Sequence, residues 1–521
     1  MAKFFNITGP CNPEDHYMLP PSKRLVGSQL NRYVENKLYW VLHAARQTGK
    51  TTFLQSWMKE LNASGNVVAC YVSVEKCQGI PEREHAIPAI CKSIQKYAGN
   101  FNLVIPPMPT TTPPESALDQ ILSDWAQLVA PKPLVVLFDE VDVLEGDALI
   151  SFLRQLRGGF ATRGIGKFPV SVALVGMRDL KDYLISSKDG MVLNSGSPFN
   201  IKQDSATLAN FSKQDVIDLF AQHTAESGRK ITEEALELVY EQTGGQPWLV
   251  NALYDRCLNW LNLSATETIT ADHIQIAREQ IIKNRAVHID SLAARLKDPR
   301  IKKIVQPILI GAMDSTMAES EDFRFCIDLG LVTLIDGTPS ISNPIYREVL
   351  ARTLSFGMQT AIPAPEFKWA TASGDLDIDA LMKEFQLFWR RHADVWEAKA
   401  DYTEAFPHLL LMAFLQRVLN GGARIEREYA AGRGRIDLVI FWKKSSHIFE
   451  IKLVHPQDGY ETTLAEGKTQ IARYADKLPS TTRTLAIFDR RPEIKAKPWE
   501  ERLELFKTKD ASDKELLVFR G

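Results

Sequence analysis

The sequence predicts a multidomain α/β chain. A parallel sheet with a glycine-containing loop after its first strand comes first, then a helical lid, a helix-plus-hairpin module and a second α/β domain of order αβββαβ. Three observations predict this. Short apolar runs alternate with amphipathic stretches between about residue 38 and 201. The loop "AARQTGKT" (Ala44 to Thr51) follows the first of those runs and opens a helical pattern. In "GRGRIDLVIFWKKSSHIFEIKL" (Gly432 to Leu453), an Asp heads one strand and a Glu and a Lys, one residue apart, lie on the next.

Composition bounds the reading. The chain has 521 residues, room for about three domains at roughly 150 residues each. Apolar residues make up 45%, enough for substantial cores, and the formal net charge of −2 argues against a strongly cationic nucleic-acid binder while leaving room for a local basic groove. The six cysteines (Cys11, Cys70, Cys77, Cys91, Cys257, Cys326) form no CxxC pair, so neither a zinc site nor a disulfide framework is expected. The opening "MAKFFNITGPCNPEDHY" lacks the regions of a signal peptide, and no apolar segment is long enough to span a membrane. A soluble cytoplasmic protein with no membrane partner is expected.

Each element follows from local pattern. "YWVLHA", "VVACYVSV", "PLVVLFDE", "VSVALVG" and "FNIK" read as strands, and "TTFLQSWMKEL", "AIPAICKSIQKYA", "ALDQILSDWAQLV" and "ALISFLRQLRGGF" as the helices between them. "VIPPMPTTTPPES" is a Pro/Thr-rich loop inside this domain. From 205 to about 283 the pattern turns purely helical, with i, i+3, i+4 apolar spacing. The helix, "LVTLI", the turn "DGTP" and "SISN" then read as the helix and wing of a winged helix. "IPAPEFKWATASGDLD" reads as a linker, followed by helices near 378–398 and 404–419, three strands, a helix near 462–477 and the strand "TLAIFD". The expected division is 1–204, 205–283, 284–361, 362–400 and 401–521.

"AARQTGKT" is the P-loop pattern with Ala44 where the first Gly is usual. Backbone N–H groups of Ala45, Arg46, Gln47, Thr48 and Gly49, with Thr52 just inside the helix, would wrap the phosphates of ATP. Lys50 would reach the β- and γ-phosphates, and Thr51 would place its hydroxyl on Mg²⁺. In "PLVVLFDEVDVL", Asp139 would join the Mg²⁺ shell and Glu140 would orient or deprotonate the attacking water. Arg178 at a third strand end either senses the γ-phosphate or makes a surface salt bridge. Arg154, Arg157 and Arg163 are weaker candidates for an arginine finger.

The C-terminal hairpin suits a different chemistry. A strand alternates its faces, so Glu450 and Lys452 point one way with Ile451 between them. Asp437 heads the neighbouring antiparallel strand, within reach of Glu450. Two carboxylates with the Ile451 carbonyl and waters suit Mg²⁺, and Lys452 would stand beside the water that attacks a phosphodiester. This is the donor set of PD-(D/E)xK nucleases, and the αβββαβ order is that of their core. Gln470 and Tyr474, one helical turn apart, resemble extra polar positions that follow the Lys. Glu404 and Glu428 are either further carboxylates or ordinary surface charges. Arg427, Arg433, Arg435, Lys443, Lys444, Arg473, Arg490 and Arg491 are candidate contacts to a phosphate backbone or ordinary solvated charges. The plain alternative is an exposed E-x-K strand face that binds no metal.

The whole chain resembles a known family. The order of strand, P-loop, acidic strand end, sensor strand and lid is similar to AAA-like ATPases of the signalling type, and "TGGQPWLVN" resembles their lid element, with Pro247 starting a helix. "HAARQTGKTT", "FQLFWRRHADVW", "AFLQRVLNGG", "REYAAGRGRIDLVI" and "FDRR" resemble bacterial AAA-like ATPases fused to a C-terminal PD-(D/E)xK nuclease-like domain. The resemblance implies a P-loop NTPase with a parallel sheet and helical lid, a winged helix and a restriction-endonuclease-like domain. It implies ATP and Mg²⁺ as cofactors, DNA rather than RNA as the nucleic-acid partner, and a homo-oligomer as one arrangement. Similar fusions are associated with defence against foreign DNA, which is analogy. The alternative function is a signalling ATPase or DNA remodeller whose nuclease fold only binds.

Overall fold

The computed structural model describes residues 2–26, 30–177, 202–284, 287–310, 315–361, 369, 371, 373–399, 406–419, 423–431, 434–454, 459–489 and 491–521. The backbone divides into two compact units, Met1–His288 with Ser315–Tyr346, and Ile289–Asp314 with Arg347–Gly521. Among the described residues no helix is long and apolar enough to cross a membrane.

The first unit is built on a six-stranded sheet of β1 (Leu25–Val26), β2 (Tyr39–His43), β3 (Val68–Ser73), β4 (Leu134–Asp139), β5 (Ser171–Gly176) and β6 (Lys202–Leu208), in the order β1-β6-β2-β5-β4-β3. All neighbours are parallel except β1, which pairs antiparallel with β6 at the edge. Val, Leu and Phe fill β4 because a parallel strand covered on both faces has no polar side to present. Helix α1 (Lys50–Ala63) covers one face, where Phe53, Leu54 and Trp57 join Trp40, Leu42, Val135 and Leu137. Helices α2 (Arg83–Asn100), α3 (Pro114–Leu128) and α4 (Gly146–Phe160) cover the other, where Ile90, Ile121 and Phe152 join Val41, Val136 and Phe138. The chain leaves β2 towards β3 on one side and returns to β6 on the other. That reversal opens a crevice at the C-terminal end of β2, the usual ligand position in open α/β sheets.

The strand expected at "FNIK" meets β6 at Lys202, from which β6 runs on to Leu208; residues 199–201 lie outside the described residues. β1 had no apolar run of its own, being two residues long.

The lid helices are α5 (Lys213–Ser227), α6 (Glu233–Thr243), α7 (Pro247–Asn259) and α8 (Ala271–Lys283). Ser212 and Asp215 form a capping box that starts α5, and Pro247 occupies the first turn of α7, where its missing N–H costs nothing. Gly245 must be glycine: φ is +69° and a Cβ there would lie 1.9 Å from the Phe211 carbonyl oxygen. Helix α9 (Glu321–Asp328), capped by Ser320, precedes the hairpin β7 (Val332–Ile335) and β8 (Thr338–Ile341). Asp336 and Gly337, at φ +50° and +78°, make its two-residue turn.

The second unit contains a six-stranded sheet of β9 (Ala423–Ala431), β10 (Gly434–Trp442), β11 (Ser445–Leu453), β12 (Thr482–Phe488), β13 (Glu504–Lys509) and β14 (Glu515–Arg520), in the order β13-β14-β12-β11-β10-β9. β9–β10–β11 is an antiparallel meander, β11, β12 and β14 are parallel, and β13 returns antiparallel on β14. Leu438, Ile440, Phe449 and Ile451 face α10 (Ile378–Lys399) and α11 (Phe406–Leu419), whose Phe385, Trp389 and Leu410 complete that core. Val439, Ile448, Leu485 and Val518 face α12 (Gly459–Ala475) through Ile471 and Tyr474. The order α11-β9-β10-β11-α12-β12 is the expected αβββαβ, and β13–β14 extends it.

Candidate functional site

The phosphate loop begins where β2 ends. Gly49 takes φ +90° and caps α1, and Gln47 stands at φ +59°. Lys50 Nζ folds back to donate to the carbonyls of Ala44 (2.7 Å) and Ala45 (2.9 Å), and Thr48 Oγ1 donates to Ala45 O at 2.9 Å. Thr51 Oγ1 donates to Asp139 Oδ2 at 2.7 Å, joining the loop to the end of β4. The same oxygen accepts the Tyr71 hydroxyl at 3.1 Å, and Oδ1 accepts the Glu140 N–H at 3.0 Å. Burial raises the Asp139 carboxyl against the stabilising Thr51 hydroxyl and Lys50 charge. Glu140 sits at φ +61° with Oε2 accepting Ser73 Oγ at 2.9 Å; burial raises it too. Burial lowers Lys50 to about 8, against the opposing pull of Asp139 and Asp142.

Of the other residues singled out, Arg46 is exposed and Thr52 Oγ1 accepts the Cys11 N–H at 3.0 Å. Arg178 lies outside the described residues. Arg163 stacks 3.4 Å from the Phe160 ring centroid and donates to the Lys37 and Phe160 carbonyls, which uses its donors locally. Arg154 and Arg157 are exposed on α4.

Several participants carried no sequence signal. Arg24, 24 residues before Thr48, donates to the Thr48 carbonyl. Gln246, which caps α7 through Leu249 N, donates through Nε2 to Gln47 O at 3.3 Å. Trp248 Nε1 donates to Ile7 O at 2.8 Å, so the N-terminal segment runs from the lid to α1. A Cβ on Gly330 would lie 2.6 Å from the Ala45 Cβ, which brings the turn after α9 against the loop. Ser73 and Tyr71 had one available clue: each lies at or near the C-terminal end of the strand beside β4.

The second site lies where β10 and β11 part. Their ladder ends at Leu438↔Phe449, although β11 stays paired with β12 as far as Leu453↔Phe488. Beyond that point the Ile451 N–H donates 2.8 Å to Asp437 Oδ2 instead of to a strand carbonyl. The pleat puts Asp437, Glu450 and Lys452 on the α12 face and sends Ile451 into the opposite core. Glu450 is 0% exposed. Lys452 Nζ stands 3.0 Å from Glu450 Oε1 and donates to Gln470 Oε1 at 2.6 Å, while Gln470 Nε2 donates to the Tyr474 hydroxyl at 2.8 Å. Asp437, Glu450, Lys452 and Gln470 are thus brought together, with Tyr474 behind them.

The electrostatics are unbalanced. Neither Glu450 oxygen accepts a well-aligned hydrogen bond, even from Lys452. Burial, then the Asp437 charge, raise the Glu450 carboxyl, and burial raises Asp437 against the Ile451 N–H that stabilises it. Buried carboxylates carry unused acceptors only at considerable cost. An oxygen-preferring divalent cation would resolve this, with waters completing its shell. Among the described residues no group of three or more His, Cys, Asp or Glu forms a metal cage, so two carboxylates are the protein's described contribution. His408, on the first turn of α11, was not anticipated; burial, then the Lys452 charge, push it down to about 4.

The basic residues near this site are largely committed elsewhere. Arg427 is not free to meet a phosphate backbone: it is buried and pairs with Glu348 at 2.8 Å and Gln416 at 3.1 Å. Lys443 donates to Gly374 O at 2.7 Å, Arg491 pairs with Asp489 through two nitrogens, and Arg473 lies over Tyr474. Lys444 is exposed. Glu404, Arg433 and Arg490 lie outside the described residues, as do the side chains of Glu428 and Arg435.

Residues 402–489 match the PD-(D/E)XK nuclease superfamily. No curated protein matches the chain. Among solved structures it is similar to a Walker-type ATPase of Pyrococcus abyssi, with 17% identity and a TM-score of 0.48 over 66% of this chain and 99% of that one. It is also similar to the Thermotoga maritima Holliday junction branch migration motor RuvB, with 13% identity and a TM-score of 0.34 over 61% and 92% of the two chains. Cdc6p of Pyrobaculum aerophilum gives 15% and 0.34 over 64% and 91%. The chain joins a P-loop ATPase-like module to a PD-(D/E)XK nuclease-like domain.

Proposed function

We propose that the protein is an ATP-hydrolysing, Mg²⁺-dependent nuclease that acts on DNA, with nucleotide turnover in the first unit governing cleavage by the second. The single observation that carries the nuclease reading is the Glu450 carboxylate, fully buried and without an aligned hydrogen bond beside Asp437 and Lys452. Asp437 and Glu450 are the residues that would hold Mg²⁺. Bound there, the cation supplies Lewis acidity towards water and the phosphodiester. Lys452, fixed between Glu450 and Gln470, holds its ammonium where it orients the attacking water and offsets charge developing on the phosphate.

In the first unit Lys50 would exchange its two loop carbonyls for phosphate oxygens. Thr51 and Asp139, hydrogen-bonded to each other, would hold the nucleotide's Mg²⁺, and Glu140 would leave Ser73 to orient the water. Defence against foreign DNA is the biological setting that this combination fits. Plasmid cleavage by wild type and Glu450→Ala, with Mg²⁺ and with or without ATP, tests the reading. Cleavage that needs Glu450 supports it, and equal cleavage by both proteins overturns it.

A second reading has its own support. The two-carboxylate set and the internally committed arginines also suit a nuclease fold that binds without cutting. On that reading DNA stimulates ATP turnover and no condition produces cleavage.

A further inference from the structure

Arg24 belongs to no motif, yet it is a buried cation placed directly behind the phosphate loop. It ends a short turn, Pro21–Arg24, and is 8% exposed. Nη2 donates to Thr48 O at 2.7 Å and Nη1 to Ala209 O at 3.0 Å, and the guanidinium lies 4.9 Å from the Phe211 ring centroid. Burial lowers it to about 10, which leaves it charged at neutral pH. Among the described residues it has no ion-pair partner. The largest opposing charge acting on it is that of Asp215, whose carboxylate accepts from Ser212 N and Oγ.

Two physical points follow. A guanidinium held by neutral carbonyls and a ring is a buried charge without its counter-ion, an arrangement that costs stability unless an anion completes it. In a trans peptide the C=O and N–H point in opposite directions. Arg24 takes the Thr48 carbonyl, so the N–H that Gly49 contributes to the same peptide points away from the guanidinium, a direction in which it could meet a phosphate. The approach is close: a Cβ on Gly49 would sit 2.9 Å from Arg24 Nη2.

We propose that Arg24 is a positioning residue of the nucleotide site, orienting the Thr48–Gly49 peptide and supplying the positive charge that nucleoside polyphosphates neutralise. This rests on the nucleotide-binding reading above. It assigns Arg24 to the polyphosphate, so inorganic tripolyphosphate should depend on it as MgATP does.

Calorimetric titration of the full chain with MgATP and with Mg-tripolyphosphate tests this for wild type, Arg24→Gln, Arg24→Lys and the exposed control Arg32→Gln. Arg24→Gln should weaken both ligands by about 30-fold, Arg24→Lys by about 5-fold, and Arg32→Gln by less than about 2-fold. Salt should weaken wild type more steeply than Arg24→Gln. The ligand-free melting temperature of Arg24→Gln should stay within about 3 °C of wild type, because deleting an uncompensated charge offsets the lost carbonyl bonds. Arg24→Gln binding MgATP within about 2-fold of wild type overturns the proposal. Should Arg24→Gln fail to fold, Arg24→Lys binding tripolyphosphate as tightly as wild type, with an unchanged salt slope, overturns it as well. A wild-type protein that binds neither ligand overturns the nucleotide reading itself, and Arg24 with it.

Discussion

The two sites of this chain hold their charged groups in opposite ways. At the phosphate loop the key groups are partnered within the protein: Lys50 on two loop carbonyls, Asp139 under two hydroxyls and an N–H, Glu140 on Ser73. At the β10–β11 fork the pairing is incomplete: Glu450 is fully buried with Lys452 Nζ 3.0 Å away, yet accepts no aligned hydrogen bond. On the proposed function, the first site is a latch whose partners would be exchanged, with each of these bonds to a charged group worth about 1.5–3 kcal/mol. On the proposed function, the second is a socket that a divalent cation would stabilise. Nucleotide should therefore rearrange the first unit more than it stabilises it, whereas divalent metal should stabilise the second.

The largest expected break in that comparison is Glu450→Ala. It should lower DNA cleavage by at least about 10³-fold in a plasmid-nicking assay, because no other described carboxylate can replace it beside Asp437. The same variant should lose the rise in melting temperature that Mg²⁺ gives wild type. Next comes Lys50→Ala, which should lower ATP turnover by about 10³-fold in a phosphate-release assay while leaving the Mg²⁺-induced stabilisation of the second unit intact.

Acid sharpens the comparison. His447, in β11, is 1% exposed with Nδ1 2.9 Å from Thr482 Oγ1, and burial pushes it from 6.5 to about 4 against the opposing Asp375 charge. Its folded value lies below its unfolded one, so the unfolded chain binds the extra proton. The stability it contributes is complete above about pH 6.5 and is lost as pH falls towards 4, by at most about 3 kcal/mol. Denaturant titrations of wild type and His447→Gln between pH 7 and 4 should show the shallower slope in the variant. The smallest effect is expected of Gln470→Ala, which frees Lys452 from its 2.6 Å bond. Cleavage should fall about 10-fold with Mg²⁺ binding unchanged, and Gln470→Glu should recover part of it.

Legibility in the sequence followed locality. The P-loop, the Asp139–Glu140 strand end and the Asp437/Glu450/Lys452 hairpin were readable because each is set by a strand, a turn and a period of two. Gln470 and Tyr474 stood out as polar positions one helical turn apart that resemble those following the Lys; Gln470 meets Lys452, and Tyr474 meets Gln470. Arg24 and Gln246 were not, since they reach the loop through tertiary packing from 24 and 199 residues away. Arg427 looked like a surface cation in "RIEREY", but strand β9 turns it inward to Glu348, a partner 79 positions earlier. The final hairpin was missed because β13, "ELFKTK", alternates with charge as an edge strand should and offers little apolar signal.

The most direct test of the central claim is cleavage of supercoiled and linear DNA by wild type, Glu450→Ala and Lys50→Ala, each with Mg²⁺ and with or without ATP. The account predicts that wild type cuts, that Glu450→Ala does not under any condition, and that Lys50→Ala loses whatever response wild type shows to ATP. Wild type that turns over ATP but cuts neither substrate would contradict it and leave the C-terminal domain as a binding module.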